Sequence, residues 1–126
     1  MLNQHSNLRA LHSLFDAFND HDIDRVMHHF TSGAIFDTAS GPTSSGTRVL
    51  GKDNIRKVFS ETFKTFSDSH WEILFHKNLG DNRAVSNWIY TATDPNGDKV
   101  ALEGVDIFVF EEGQIVHKNV FRKAPS

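Results

Sequence analysis

The chain has 126 residues, of which 38% are hydrophobic, with a formal net charge of −3 and no cysteine. This length predicts one domain over 1–126 with a core of its own, and the lack of cysteine excludes disulfides and cysteine-ligated zinc. No run of Lys and Arg exceeds two residues, and no apolar run or basic leader suits a membrane. We therefore expect a soluble, cytoplasmic protein with neither a nucleic-acid nor a membrane partner.

The eight histidines raise the question of a metal site. His28 and His29 are adjacent, so on a helix their side chains diverge by about 100°. No two histidines have the i, i+4 spacing of a helical zinc pair. The sequence thus predicts no metal site and no cofactor.

Apolar residues spaced by three and four predict three helices in the first half of the chain. The first covers 6–19, the second runs from an Asp22 cap to about Phe30, and the third begins at Gly51. A loop rich in Gly, Ser, Thr and Pro fills 39–47.

Alternating apolar residues predict five strands, at 34–38, 70–77, 83–93, 100–110 and 114–122. The last two hairpins turn at 94–98 and, through a three-residue loop, at 111–113. Helices followed by an antiparallel meander indicate an α+β fold, whose curved sheet leaves a concave pocket for a ligand.

Asp106 is the most informative residue, because it lies within a run otherwise suited to a buried strand. Alternation places it on one face with Gly104 and Phe108. Burying an ionised carboxylate there costs several kcal/mol unless it is paired or protonated. The three-residue hairpin would place Asp106 opposite Lys118, close enough for an ion pair. Asp106 can therefore be the buried partner of Lys118 or an acid of the pocket, and the two roles can coexist.

The face occupied by Trp88 and Tyr90 depends on the length of one turn. A two-residue turn at Asn96 and Gly97 would pair Asn87 with Asp106 and send both aromatic residues to the convex face. There, with Val105 and Ile107, they would form a dimer surface. A change of one residue in loop length would turn them into the pocket instead.

Four segments resemble the nuclear transport factor 2-like superfamily, in particular its SnoaL-like and ketosteroid isomerase-like branches. They lie at 15–24, 30–37, 51–55 and 110–115, the last reading Phe-Glu-Glu-Gly-Gln-Ile. The resemblance implies a cone-shaped α+β barrel. In it, three N-terminal helices pack in the concave face of a strongly bent, mostly antiparallel sheet.

Isomerases of this superfamily have three catalytic positions, and the resemblance carries only one of them over. Asp106 matches the protonated acid, whereas Thr38 stands at the position of the base and Leu14 at that of the tyrosine. We therefore do not expect the steroid isomerase reaction. His28 or His29 is a candidate acid or base.

Asp37 precedes Thr38, and alternation sends these two side chains to opposite faces of the strand. A general base at the pocket mouth is one interpretation of Asp37. An outward-facing acid is the interpretation that we favour.

The sequence predicts that the cone binds a small, largely apolar molecule, and a cyclic molecule is one form that this ligand can take. If the protein is an enzyme, we expect cofactor-free acid/base chemistry such as isomerisation or cyclisation. Asp106, Thr38 and His28 are the candidate catalytic residues. The candidate ligand-binding residues are Phe18, Phe36, Phe59, Phe63, Phe108, Lys118, Val120 and Arg122. The alternative is a non-catalytic ligand-binding or association domain, and a homodimer through the convex sheet face is expected in either case.

Overall fold

The computed structural model describes residues 4–125, which form three helices and six strands. In chain order these are α1 (Gln4–Asn19), α2 (Ile23–Met27), β1 (Phe30–Asp37), β2 (Arg48–Leu50), α3 (Lys52–Thr65), β3 (His70–Gly80), β4 (Arg83–Thr93), β5 (Lys99–Glu111) and β6 (Gln114–Arg122). Within the described residues, no helix is both long and apolar enough to cross a membrane.

The six strands form one strongly curved, mixed sheet in the order β2-β1-β6-β5-β4-β3. Only the β1–β6 pair is parallel. The predicted cone-shaped α+β fold is confirmed, and its sheet stays open along one side. Helices α1 and α3 pack against the sheet and bury a core rich in phenylalanine.

The predicted helices and strands are largely confirmed, with two differences in the first half of the chain. Helix α2 ends at Met27, because Phe30 already pairs with Ile115 as the first residue of β1. Strand β2 was not predicted, since three residues are too few to show an alternating pattern.

The β5–β6 hairpin has a two-residue loop rather than the predicted three-residue one. Glu111 pairs with Gln114, and the loop residues Glu112 and Gly113 both have positive φ, 52° and 79°. This is the geometry of the tight turns that suit the twist of a hairpin.

A bulge in β6 then places Phe108 opposite Lys118 and Asp106 opposite Val120. The predicted direct pairing of Asp106 with Lys118 is therefore wrong by two residues. Because side chains alternate with a period of two, an error of two leaves the side chains beyond the bulge, Lys118 and Val120 among them, on their predicted face. Before the bulge the error is one residue, so Ile115 rather than Gln114 lies opposite Phe110.

The β4–β5 connection has five residues, 94–98, because Thr93 pairs with Lys99. The Oδ1 atom of Asp94 accepts hydrogen bonds from two backbone amides within the loop, each 2.9 Å long. Ser86 consequently lies opposite Asp106, and the convex placement of Trp88 and Tyr90 is wrong. Both aromatic side chains face the helices.

A half-buried histidine, His76, lies where α1 packs on β3. The Nδ1 atom of His76 lies 2.7 Å from the hydroxyl of the fully buried Ser86, and its ring meets that of His12 edge-on at 4.6 Å. Burial lowers the pKa of His76 to about 4; the charge of His12 adds to this effect and Asp16 opposes it. The folded protein therefore holds this ring neutral.

We expect acid to destabilise the fold through His76. Its folded pKa of about 4 lies below the ordinary 6.5, so the stabilisation is complete above pH 6.5 and is lost as the pH falls toward 4. The free energy of unfolding should fall by up to about 2 kcal/mol between pH 6.5 and 5. Urea unfolding of His76→Gln at both pH values is the control, and an equal loss in that variant would contradict the assignment.

Candidate functional site

A cavity of about 490 Å³ opens between the concave face of the sheet and the helices α1 and α3. Most of its wall is aromatic or aliphatic, and its polar groups are few. The lining residues are Phe18, Phe36, Thr38, Ala39, Val58, Phe59, Thr62, Phe63, Phe66, Trp71, Trp88, Tyr90, Asp94, Val100, Leu102, Lys118, Val120 and Arg122.

Three neighbouring strands supply a polar cluster beside this cavity. Lys118 Nζ donates to Asp106 Oδ1 over 2.9 Å, and Trp88 Nε1 donates to Oδ2 over 2.9 Å. Asp106 is 0% exposed, whereas 8% of the Lys118 side chain is exposed. Two N–H donors on the two oxygens satisfy a buried carboxylate in its ionised form.

Lys118 and Trp88 line the cavity, whereas Asp106 does not reach it. Aromatic rings surround the ammonium group: Nζ lies 4.7 Å from the ring centre of Phe36 and 5.7 Å from those of Phe18 and Phe59. Cation–π attraction favours this position. A ligand would therefore meet Lys118, with Asp106 behind it.

Gly104 sets the position of the Trp88 indole. A Cβ atom on Gly104 would lie 2.6 Å from Trp88 Cη2 and 2.6 Å from the carbonyl oxygen of Phe121. Only a residue without a side chain lets the indole lie this close to β5. The close approach directs Nε1 toward Asp106.

Tyr90 lines the cavity, but its hydroxyl proton is already used. The Ser69 hydroxyl donates to the carbonyl of Phe66 over 2.7 Å and lies 2.7 Å from the Tyr90 hydroxyl. Since Ser69 has one hydroxyl hydrogen, Tyr90 is the donor between the two. Burial raises the pKa of Tyr90, and the bond with Ser69 opposes this shift. Toward the cavity, Tyr90 offers an acceptor only.

Most of the predicted ligand-binding residues line the cavity, namely Phe18, Phe36, Phe59, Phe63, Lys118, Val120 and Arg122. Phe108 does not: it is 0% exposed and meets Phe15 edge-on in the core. Thr38 lines the cavity, but its hydroxyl donates to the carbonyl of Ser40 and accepts from the amide of Thr47. Both contacts hold the adjacent loop.

The candidate histidines lie outside the cavity. His28 is exposed at the end of α2, and His29 Nε2 lies 3.2 Å from the Ser13 hydroxyl. Burial lowers the pKa of His29, with the neighbouring charge of His28 as a further cause. Neither imidazole is placed to act on a ligand in the cone.

Asp37 lies on the opposite face of β1 from the cavity, as favoured from the sequence, but it is not solvated. It is 2% exposed, and its oxygens accept from Arg48 over 2.8 and 2.9 Å and lie 2.8 Å from His117 Nε2. The Arg48 hydrogen bonds hold the pKa of Asp37 below its ordinary value, and His117 adds to this. Asp37 therefore has a structural role, since it joins β1 to Arg48 on β2 and to His117 on β6.

The sequence did not indicate Trp88 as the partner of Asp106 or Leu102 as cavity wall, and it left Tyr90 open between the convex face and the pocket. Leu102 was detectable, since alternation already placed it on the face of Asp106. The face of the sheet on which Trp88 and Tyr90 lie depends on the number of residues in the β4–β5 turn, and the composition of the turn does not give that number.

The chain matches the model of the SnoaL-like domain over residues 11–118. It belongs to the SnoaL-like family. A comparison with curated protein sequences finds no match.

Solved structures share the fold of this SnoaL-like protein at low sequence identity. Bal32a, from a soil-derived mobile gene cassette, has a TM-score of 0.84 at 18% identity over 94% of this chain and 89% of its own. A presumed polyketide cyclase from Xanthomonas campestris pv. campestris has a TM-score of 0.82 at 17% identity, over 95% and 92%. TerC, co-crystallised with polyporic acid, has a TM-score of 0.81 at 16% identity, over 94% and 92%.

We expect Asp106→Asn to destabilise this SnoaL-like protein by about 3 kcal/mol, because the change leaves the Lys118 ammonium buried without its charged partner. Urea unfolding measures the loss. An unchanged stability would show that the carboxyl group is protonated in the native protein.

The control is a double-mutant cycle with Lys118→Met. That single change leaves the carboxylate of Asp106 unpaired, so it should also be costly. Asp106→Asn combined with Lys118→Met removes both charges and should recover much of the loss. Additive effects of the two substitutions would contradict a direct interaction.

Proposed function

We propose that the cone binds a small, largely apolar, cyclic molecule. The observation that carries the proposal is a 490 Å³ cavity with an aromatic wall and one buried ammonium group, that of Lys118. Sites for small organic ligands have this size and this combination of an apolar wall with a few placed polar groups.

For an enzymatic form we propose cofactor-free isomerisation or cyclisation in which Lys118 polarises a ligand carbonyl. An ammonium donor in an apolar site stabilises the negative charge that develops on that oxygen when an enolate forms. The proton that leaves the α-carbon passes to a water molecule in the open cavity, which returns it when the enolate is protonated again. Asp106 does not reach the cavity, so its role is to position Lys118. Thr38 and His28 have no part in this proposal.

The second candidate is a non-catalytic ligand-binding domain. It is favoured by the sealed position of Asp106 and by the engaged hydroxyl groups of Thr38 and Tyr90, which leave few groups for proton transfer. An enolisable cyclic ketone in deuterated water separates the two candidates. Exchange of its α-protons for deuterium in the presence of the protein supports the enzyme. Binding of the ketone without exchange supports the binding domain.

The comparisons support a small organic ligand without naming one for this chain. A presumed polyketide cyclase and a protein co-crystallised with polyporic acid have the same fold. The cytoplasmic location and the absence of nucleic-acid and membrane partners stay predictions.

Filling the cavity should abolish binding of an uncharged aromatic probe. We expect Leu102→Trp to weaken binding of N-phenyl-1-naphthylamine at least about tenfold, because the larger side chain occupies the ligand volume. Fluorescence titration measures the affinity. Ala101→Trp is the matched control, since the exposed Ala101 is the neighbouring residue on the other face of β5. Equal affinities for both variants would contradict binding in the cone.

We also propose that two copies associate through the convex face of the sheet. A row across four strands joins Phe75, Asn87, Val105 and Phe121, and Ile107 lies beside it. Phe75 is 47% exposed and Phe121 51%, which is typical of an apolar surface that a partner covers. A second copy is the partner that the sequence predicted, although Trp88 and Tyr90 do not belong to this surface.

Phe121→Asp should convert the dimer to a monomer, because it places a charge within an apolar contact while disturbing no buried side chain. Sedimentation at micromolar concentration measures the oligomeric state. Lys57→Asp, a change at an exposed residue of helix α3 on the other side of the sheet, is the control and should leave the dimer intact. A monomeric unsubstituted protein would contradict the proposal.

A further inference from the structure

The hydrogen-bonding capacity of Lys118 is only partly used within the protein. An ammonium group has three N–H donors and no acceptor. Among the described residues, Nζ has one hydrogen-bond acceptor, Asp106 Oδ1, and its other near neighbours are ring faces. Donors therefore remain for an oxygen that enters from the cavity.

The ion pair of Lys118 with Asp106 has its positive end toward the cavity. Its negative member, Asp106, is fully buried and has both oxygens engaged, whereas its positive member lines the cavity. Although the pair is neutral as a whole, a ligand approaches its positive end. At close range this end attracts a negatively charged oxygen.

The remaining polar groups of the wall add to this preference. Arg122 lines the cavity four residues farther along β6, about 13 Å from Lys118 along the strand. The only carboxylate in the described lining is that of Asp94, which binds the amides of its own turn. Two cationic side chains thus face the ligand space, against one engaged carboxylate.

We propose that the ligand is a planar ring system that carries an acidic oxygen, in a carboxyl, phenol or enol group, and that it binds as its anion with this oxygen on Lys118 Nζ. The inference rests on the proposed function of the cone as a ligand site, and it names the class of ligand. Flat rings fit between the aromatic walls, and the positive end of the ion pair selects the ionised form.

The test uses two probes of nearly identical shape that differ in charge, 2-naphthoate and 2-naphthamide, titrated calorimetrically against the unmodified protein at pH 7.5. We expect 2-naphthoate to bind at least about tenfold more tightly. In the double variant Asp106→Asn with Lys118→Met, which buries no unpaired charge, this preference should disappear, because 2-naphthoate loses its charged partner and should lose far more affinity than 2-naphthamide. Lys123→Met, a change at an exposed lysine next to Arg122, is the matched control and should keep the preference.

Each other outcome has a distinct meaning. Equal affinity for both probes would overturn the acidic ligand and leave the proposed function standing. Failure of both probes to bind would overturn the cone as a ligand site and the inference together. A preference that survives in the double variant but is lost in Arg122→Met would place the anion at the mouth and overturn the assignment to Lys118.

Discussion

The structure depends on the three-way contact of Asp106 with Lys118 and Trp88. Each partner comes from a different strand, so the contact exists only when β4, β5 and β6 hold one register. A slip of one residue in either strand pair would move a charge or the indole to the convex face and leave a buried group without a partner. The contact thus selects one arrangement of the sheet.

Such a cluster is a poor way to gain stability. Removing two charges from water costs several kcal/mol for each ion, and hydrophobic replacements of buried ion pairs are often as stable or more so. The surrounding phenylalanine rings would readily accept an apolar residue at the position of Lys118. A charged side chain there makes sense when it serves a ligand, which connects the energetics of the core to the chemistry of the cavity.

Most of the helices and strands followed from periodicity, because long amphipathic helices and alternating strands leave a clear pattern. The end of α2 and the three-residue strand β2 did not. The contact of Asp106 with Lys118 was one of the two alternatives that the sequence left open, although it was derived from a register that was wrong by two residues. The face of Trp88 was not predictable, because it depends on hydrogen bonds that Asp94 makes within its own turn. The sequence therefore predicts the face of a side chain correctly where the error in strand register is an even number of residues. It does not do so where the face depends on the length of a loop to within one residue.

The absence of a side chain at Gly104 has a consequence for the evolution of this protein. The indole of Trp88 fills the space that a Cβ atom would need, while the carbonyl oxygen of Phe121 closes it from the neighbouring strand. We therefore expect the positions of Trp88 on β4 and Gly104 on β5 to change together. In relatives that place a larger residue at the position of Gly104, the tryptophan must be replaced, and the acid on β5 must find another donor.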